Sequence, residues 1–181
     1  MDEFTLKALS EKELSLILQW RNSKRVRAFM YDDHLITWKE HLEWFQHLMN
    51  NPQKKVMIFY HGNQPLGLVQ FFDMDQTHAR CYWGFYIGEE AAPKGTGTMM
   101  GILALDKMFQ EEGMHKICAE VIQTNEVSLH FHKKLGFEAE GKFVEHVRKE
   151  GLFIDVIPMA LLHEQWKIVR EGLLENKGGK R

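Results

Sequence analysis

The chain has 181 residues, 44% of them hydrophobic, enough for one core that buries most of what the unfolded chain exposes. Its formal net charge of −2 at pH 7 offers no field of one sign for nucleic acid or an anionic membrane. No apolar run approaches the roughly 18 residues of a membrane span, and Met1-Asp2-Glu3 lacks the basic start of a secretory leader, so a soluble, cytoplasmic protein is expected.

Residues 3 to 9 read as a strand, and Ser10 with Glu13 three residues on is a capping-box signature that opens a helix carrying Leu14, Ile17 and Leu18 as far as Asn22. A second helix opens at Thr37, with Glu40 three on, and Trp38, Leu42, Phe45 and Met49 form its apolar stripe. Asn51-Pro52 ends it. Val56 to Tyr60 and Leu66 to Phe72 then make a hairpin around His61-Gly62-Asn63-Gln64, and Ala79 to Ile87 extends the meander. Cys81 and Cys118 lie in strand-like, apolar contexts and read as small buried hydrophobes rather than a disulfide.

Beyond the loop Glu89 to Gly97 the period changes to helical. Ile102, Leu105 and Phe109 share one face of a helix ending at Gly113, Lys116 to Ile122 reads as a strand, and Val127 to Leu135 as a helix stopped by Gly136. Glu138 to Arg148 and Leu152 to Leu161 flank a turn at Lys149-Glu150-Gly151. Residues 171–181 read as a frayed polar tail behind a single domain of residues 1–170. Together these elements give an α/β (α+β) fold: seven strands in a mixed, mostly antiparallel sheet, parallel where the late helices cross over, with helices on both faces.

Pro93-Lys94-Gly95-Thr96-Gly97-Thr98 follows a strand and precedes a helix. Amides of a first helical turn lack intrahelical partners, and the helix dipole favours an anion there. Glycines let a diphosphate approach the backbone. Lys94 adds charge, Thr96 and Thr98 add hydroxyl donors, and Met99 lies on the same turn. The absence of a third glycine in register excludes a Rossmann loop.

About 30 residues on comes Asn125-Glu126-Val127-Ser128-Leu129-His130-Phe131-His132-Lys133-Lys134-Leu135-Gly136-Phe137. The two motifs in this order resemble the GNAT superfamily of N-acetyltransferases. The resemblance implies acetyl-CoA as cofactor, held by Phe85, Tyr86, Ile87, Lys94, Gly95, Thr96, Gly97, Thr98, Met99, Asn125, Ser128 and Lys133. It also places the thioester between diverging strands, those of residues 79–87 and 116–122, with backbone N–H groups near Tyr86 and Ile87 facing the carbonyl. Two positions depart from the family pattern. Ala92 stands where Arg or Gln usually opens the glycine loop, and His132 stands where a tyrosine often protonates the departing thiolate, so His132 and Tyr86 are the catalytic candidates.

Trp20-Arg21-Asn22, Met30-Tyr31, His41-Leu42, Tyr82-Trp83-Gly84-Phe85-Tyr86 and Phe153-Ile154-Asp155-Val156 resemble one branch of that superfamily, the N-acetyltransferases of UDP-linked amino sugars in pseudaminic acid biosynthesis. The branch implies transfer to the 4-amino group of a UDP-linked 4-amino-4,6-dideoxy sugar by direct attack on the thioester. Arg21 is the candidate for the diphosphate. Met30, Tyr31, Trp38, Trp44 and Phe71 offer flat apolar surface to base and sugar, and His41 offers a hydrogen bond. The alternatives are a polyamine, a protein N-terminal amine, or a noncatalytic acetyl-CoA-binding module. A small-molecule partner is expected without nucleic acid or membrane, and a homodimer is allowed. Ten histidines raise a metal site, but none has the spacing of a zinc ligand set.

Overall fold

The computed structural model describes residues 3–178. It divides into two compact units, one of Met1–Met74 and Tyr82–Ala104, the other of Asp75–Cys81 and Leu105–Arg181.

In the first unit β1 (Phe4–Ala8) leads through a 3-10 turn (Glu11–Glu13) into α1 (Leu14–Asn22), α2 (Lys24–Arg27) and α3 (Trp38–Met49). Both capping boxes form as the sequence predicts, Ser10 with Glu13 and Thr37 with Glu40. The buried Glu13 carboxylate accepts from Ser10 N (3.0 Å), Ser10 Oγ (2.7 Å) and the Tyr60 hydroxyl (2.8 Å). Burial pushes its pKa up, but those hydrogen bonds outweigh burial and the net shift is down.

β2 (Lys55–His61), β3 (Gln64–Asp75) and β4 (Arg80–Ile87) complete the meander, in the order β1-β2-β3-β4. β2 pairs antiparallel with β1, Phe4 opposite His61, and with β3, Lys55 opposite Phe71. Val56 to Tyr60 are buried without a break, because both faces are covered. Side chains alternate along a strand, so Val56, Ile58 and Tyr60 join Leu14, Ile17 and Phe45 on one side, while Phe59 joins Leu66 and Met100 on the other.

The expected stripe on α3 is rotated. Trp38 and Met49 are exposed, and His41, Phe45 and Leu48 are the buried set, at spacings of four and three that follow the helical period.

In the second unit β8 (Leu152–Leu162) is the spine. It pairs antiparallel with β5 (Lys116–Ile122), from Lys116 opposite Leu162 to Ile122 opposite Val156, and also with β6 (Glu138–Ala139) and β7 (Phe143–Lys149). The run expected as one strand over Glu138 to Arg148 is broken between these two, where Glu140 N donates to Pro158 O (2.9 Å), so the described residues contain eight strands rather than seven.

α4 (Thr96–Asp106) runs into a π-helical turn (Lys107–Glu111), and α5 (Glu126–Lys134) follows β5. α6 (His163–Gly178) occupies most of the segment whose composition suggests fraying. It is anchored by buried Trp166, whose indole N–H donates to Asp106 (2.9 Å), and by Arg170, which donates to the same carboxylate (2.7 Å). Residues 179–181 of the expected tail lie outside the described residues. Cys81 and Cys118 are free and buried, as expected. No helix among the described residues is long and apolar enough to cross a membrane.

Candidate active site

A cavity of about 450 Å³ opens in the first unit among α1, α3, β3, β4 and the segment joining α2 to α3. Of the residues expected to bind an acceptor, Arg21, Met30, Tyr31, His41 and Trp44 all line it. Trp38 and Phe71 do not. Phe71 is fully buried and stacked on Trp83 (6.4 Å between centroids), because strand alternation puts Leu68 and Gln70 into the cavity wall instead. Tyr86 closes the same wall, its ring edge-on to Trp20.

Arg21 is half-buried. Its Nη2 donates to the Asp32 carbonyl (2.7 Å), while Nη1 is buried and has no hydrogen-bond partner among the described residues. Burial lowers the guanidinium pKa, opposed by Tyr86, Asp32 and Asp33. A buried charged donor left unmatched is costly, so the place calls for an acceptor atom that the described residues do not supply.

The cavity's carboxylates are Asp32 and Glu40, and both are engaged. His34 bridges them, Nδ1 at 2.7 Å from Asp32 and Nε2 at 3.2 Å from Glu40. Glu40 also accepts from Thr37 N (2.6 Å) and Thr37 Oγ1 (2.7 Å). Hydrogen bonds to the two carboxylates raise the His34 pKa; His34 in turn lowers that of Asp32, while Glu40 is lowered first by its hydrogen bonds from Thr37 and less by His34. His41 is buried. Its Nε2 meets the Leu14 carbonyl at 2.9 Å, its ring stacks on Trp44, and burial lowers its pKa, so it stays neutral.

The end of β4 is fixed from three sides. A Cβ on Gly67 would meet the Tyr86 carbonyl at 2.6 Å, and one on Gly88 would meet the Trp20 ring at 2.0 Å. Arg25 donates to the carbonyls of Ile87 (2.9 Å) and Gly88 (2.8 Å). Beyond it, α4 begins at Thr96 rather than Thr98, and Gly95 takes φ +88° with open space around the position a Cβ would fill. That open approach at the start of an 11-residue helix fits the diphosphate of coenzyme A. Exposed Lys94 fits it too. The threonines differ from expectation: Thr96 is buried with its hydroxyl donating to Pro93 O (2.6 Å), and Thr98 is buried as well.

In the second unit Asn125 caps α5 by accepting from Ser128 N (3.1 Å). Lys133 is exposed. His132 is buried, with Phe131 and Phe137 edge-on to its ring, and its Nδ1 meets the Ser128 carbonyl at 2.8 Å. A carbonyl can only accept, so the proton sits on Nδ1. Burial depresses the pKa to about 4. The imidazole is therefore neutral near pH 7 with a lone pair on Nε2, which is the wrong state for a proton donor. The role the family pattern suggests for His132 is corrected accordingly.

Sequence reasoning missed Asp32, His34, Ile36 and Glu40 as cavity residues, and Arg25 as the clamp on β4. Residues 29–36 have no periodicity to read. Their one signal is position, between Arg21-Asn22 and the cap at Thr37.

An acetyltransferase (GNAT) domain model matches residues 3–138, three quarters of the chain, and the chain belongs to that family. Its fold is the GNAT fold, a mixed α/β arrangement with a mostly antiparallel sheet, and it is an acetyl-CoA-dependent N-acetyltransferase. The spermidine N(1)-acetyltransferase of Vibrio cholerae is 24% identical over 165 residues, 91% of this chain and 95% of the relative. Acetyltransferase PseH of Campylobacter jejuni is 29% identical over 92 residues, 51% of this chain and 55% of the relative. Among solved structures, spermidine N-acetyltransferase from Vibrio cholerae in complex with CoA and spermine superposes with a TM-score of 0.85 at 23% identity, covering 91% of this chain and 98% of that chain.

Proposed function

We propose that the chain acetylates the 4-amino group of a UDP-linked 4-amino-4,6-dideoxy sugar, the reading implied by the resemblance to the pseudaminic acid branch. The observation that carries it is that Arg21, whose guanidinium keeps one nitrogen without a partner among the described residues, lines a cavity whose two carboxylates are already engaged. An oxygen of a nucleotide sugar, phosphate above all, matches that donor. A polyamine would bring further positive charge beside it.

Bound acetyl-CoA supplies the activated acetyl group. The chain's own residues bind, orient and manage protons. Gly95, Gly97 and the first amides of α4, with Lys94, hold the diphosphate. Met30, Tyr31 and Trp44 present apolar and aromatic surface to the acceptor, and Arg21 orients it. Burial pushes the Tyr86 pKa up, so its phenol keeps its proton and has it to donate to a bound reactant. The backbone of residues 86–88, set by Gly67, Gly88 and Arg25, is the candidate place for amides that polarise the acetyl carbonyl.

A polyamine acceptor is the second reading, and the comparisons support it more strongly than the first. Spermidine N(1)-acetyltransferases match about nine tenths of the chain, whereas PseH matches about half. Cavity charge separates the two. Thiol release measured with UDP-4-amino sugars, spermidine, spermine and peptides is expected to give a kcat/KM at least tenfold higher for the UDP-linked sugar. A higher value for spermidine would overturn the reading in favour of the polyamine.

A further inference from the structure

Residues 30–36 supply five of the cavity's lining residues, Met30, Tyr31, Asp32, His34 and Ile36, although they contain no helix or strand. Such a segment keeps a defined shape only if something outside it fixes the backbone. Four contacts do so. Arg21 donates to Asp32 O and Arg27 to Asp33 O, and His34 reaches Glu40 of α3. The fourth is of a different kind. The Asn22 side chain donates from Nδ2 to the Ile36 carbonyl (2.8 Å) and accepts at Oδ1 from the Ile36 N–H (2.8 Å). One carboxamide thus takes both backbone groups of a single residue, as a neighbouring strand residue would in an antiparallel pair. Asn22 is the last residue of α1 and directly follows Arg21, so the same helical turn carries a residue that lines the cavity and the group that ties down its wall.

We infer that Asn22 is a positioning residue for acceptor binding, fixing the 30–36 segment against α1 so that Tyr31, His34 and Ile36 stand at a set distance from the Arg21 guanidinium. The inference rests on the cavity being the acceptor site, and not on which amine enters it. Only an amide of this length offers one donor and one acceptor at the separation that Ile36 presents. Aspartate keeps the shape but turns Nδ2 into an oxygen facing the Ile36 carbonyl, and leucine keeps the approximate volume but loses both bonds.

The test is steady-state kinetics of Asn22→Asp, Asn22→Leu and Arg21→Gln on full-length protein, with the best amine from the acceptor panel. Both Asn22 variants are expected to raise the acceptor KM about tenfold or more, with acetyl-CoA KM within twofold of wild type. Asn22→Gln, which keeps both polar groups one methylene further out, should recover part of the loss. Acceptor KM unchanged in both Asn22 variants while Arg21→Gln shifts it in either direction would overturn the positioning role and leave the cavity as the acceptor site. Acceptor KM unchanged in all three would instead sink the site assignment. Parallel rises in both KM values would show a general structural role and also overturn the inference.

Discussion

Replacing Arg21 with methionine is the sharpest probe of the acceptor. The change keeps much of the aliphatic volume and deletes the charge. The lost Nη2 contact to Asp32 O still leaves the neighbouring segment tied through Asn22 and Arg27, so the wall should persist. What disappears is the guanidinium charge and, with it, the Nη1 donor that no described residue satisfies. A hydrogen bond from a charged group contributes about 1.5–3 kcal/mol. At about 1.4 kcal/mol per factor of ten, kcat/KM for the UDP-linked amino sugar should fall roughly 10- to 150-fold. Spermidine should respond in the opposite direction, because a repelling charge has been taken away. The assay is thiol release at saturating acetyl-CoA, with the acceptor varied over two decades around KM. A fall of less than threefold with the sugar nucleotide, or a matching fall with spermidine, would refute the assignment of Arg21 to an anionic acceptor.

His132→Phe is expected to keep kcat within about threefold of wild type and to leave the pH–rate profile between pH 6 and 8 unmoved, which stopped-flow or plate kinetics can check. The same variant reports on stability. The folded-state pKa is depressed from 6.5 to about 4, so the contribution is fully present above pH 6.5 and is lost as pH falls through about 4. Wild type should lose about 3 kcal/mol relative to the variant across that window, read from urea melts at each pH. Gly88→Ala places a Cβ at 2.0 Å from the Trp20 ring. It should cost about 1–3 kcal/mol of overpacking and raise acceptor KM through Tyr86, which rests edge-on against Trp20. Gly95→Val forces a branched side chain to φ +88° at the mouth of α4 and should raise acetyl-CoA KM at least tenfold while leaving acceptor KM near wild type.

What the sequence disclosed divides along physical lines. Caps and turns are local, and Ser10 with Glu13, Thr37 with Glu40 and the His61–Gln64 turn are all where their spacing puts them. β5 matches its predicted bounds because a mostly apolar run, buried at five of its seven positions, is easily delimited. α6 escaped notice because its hold on the protein is one indole and one guanidinium meeting a carboxylate some 60 residues earlier, a relation that composition does not record. Arg21, Tyr31, His41 and Trp44 were found by chemistry. Phe71 was misplaced because chemistry says nothing about which face of β3 a residue occupies. His132 was misread for a related reason: residue type suggests a proton donor, and only the enclosing Phe131, Phe137 and Ser128 carbonyl decide which proton it holds.

The unbroken burial of β2 limits how this enzyme can change its preferences. Neighbours in sequence there answer to different partners: Tyr60 to the helices beside the acceptor cavity, Phe59 to the packing beneath the cofactor loop. A substitution that remodels one neighbourhood would disturb the other through a single peptide bond. New acceptors are therefore more accessible through the irregular stretch of residues 30–36, five of whose side chains line the cavity without belonging to the buried core.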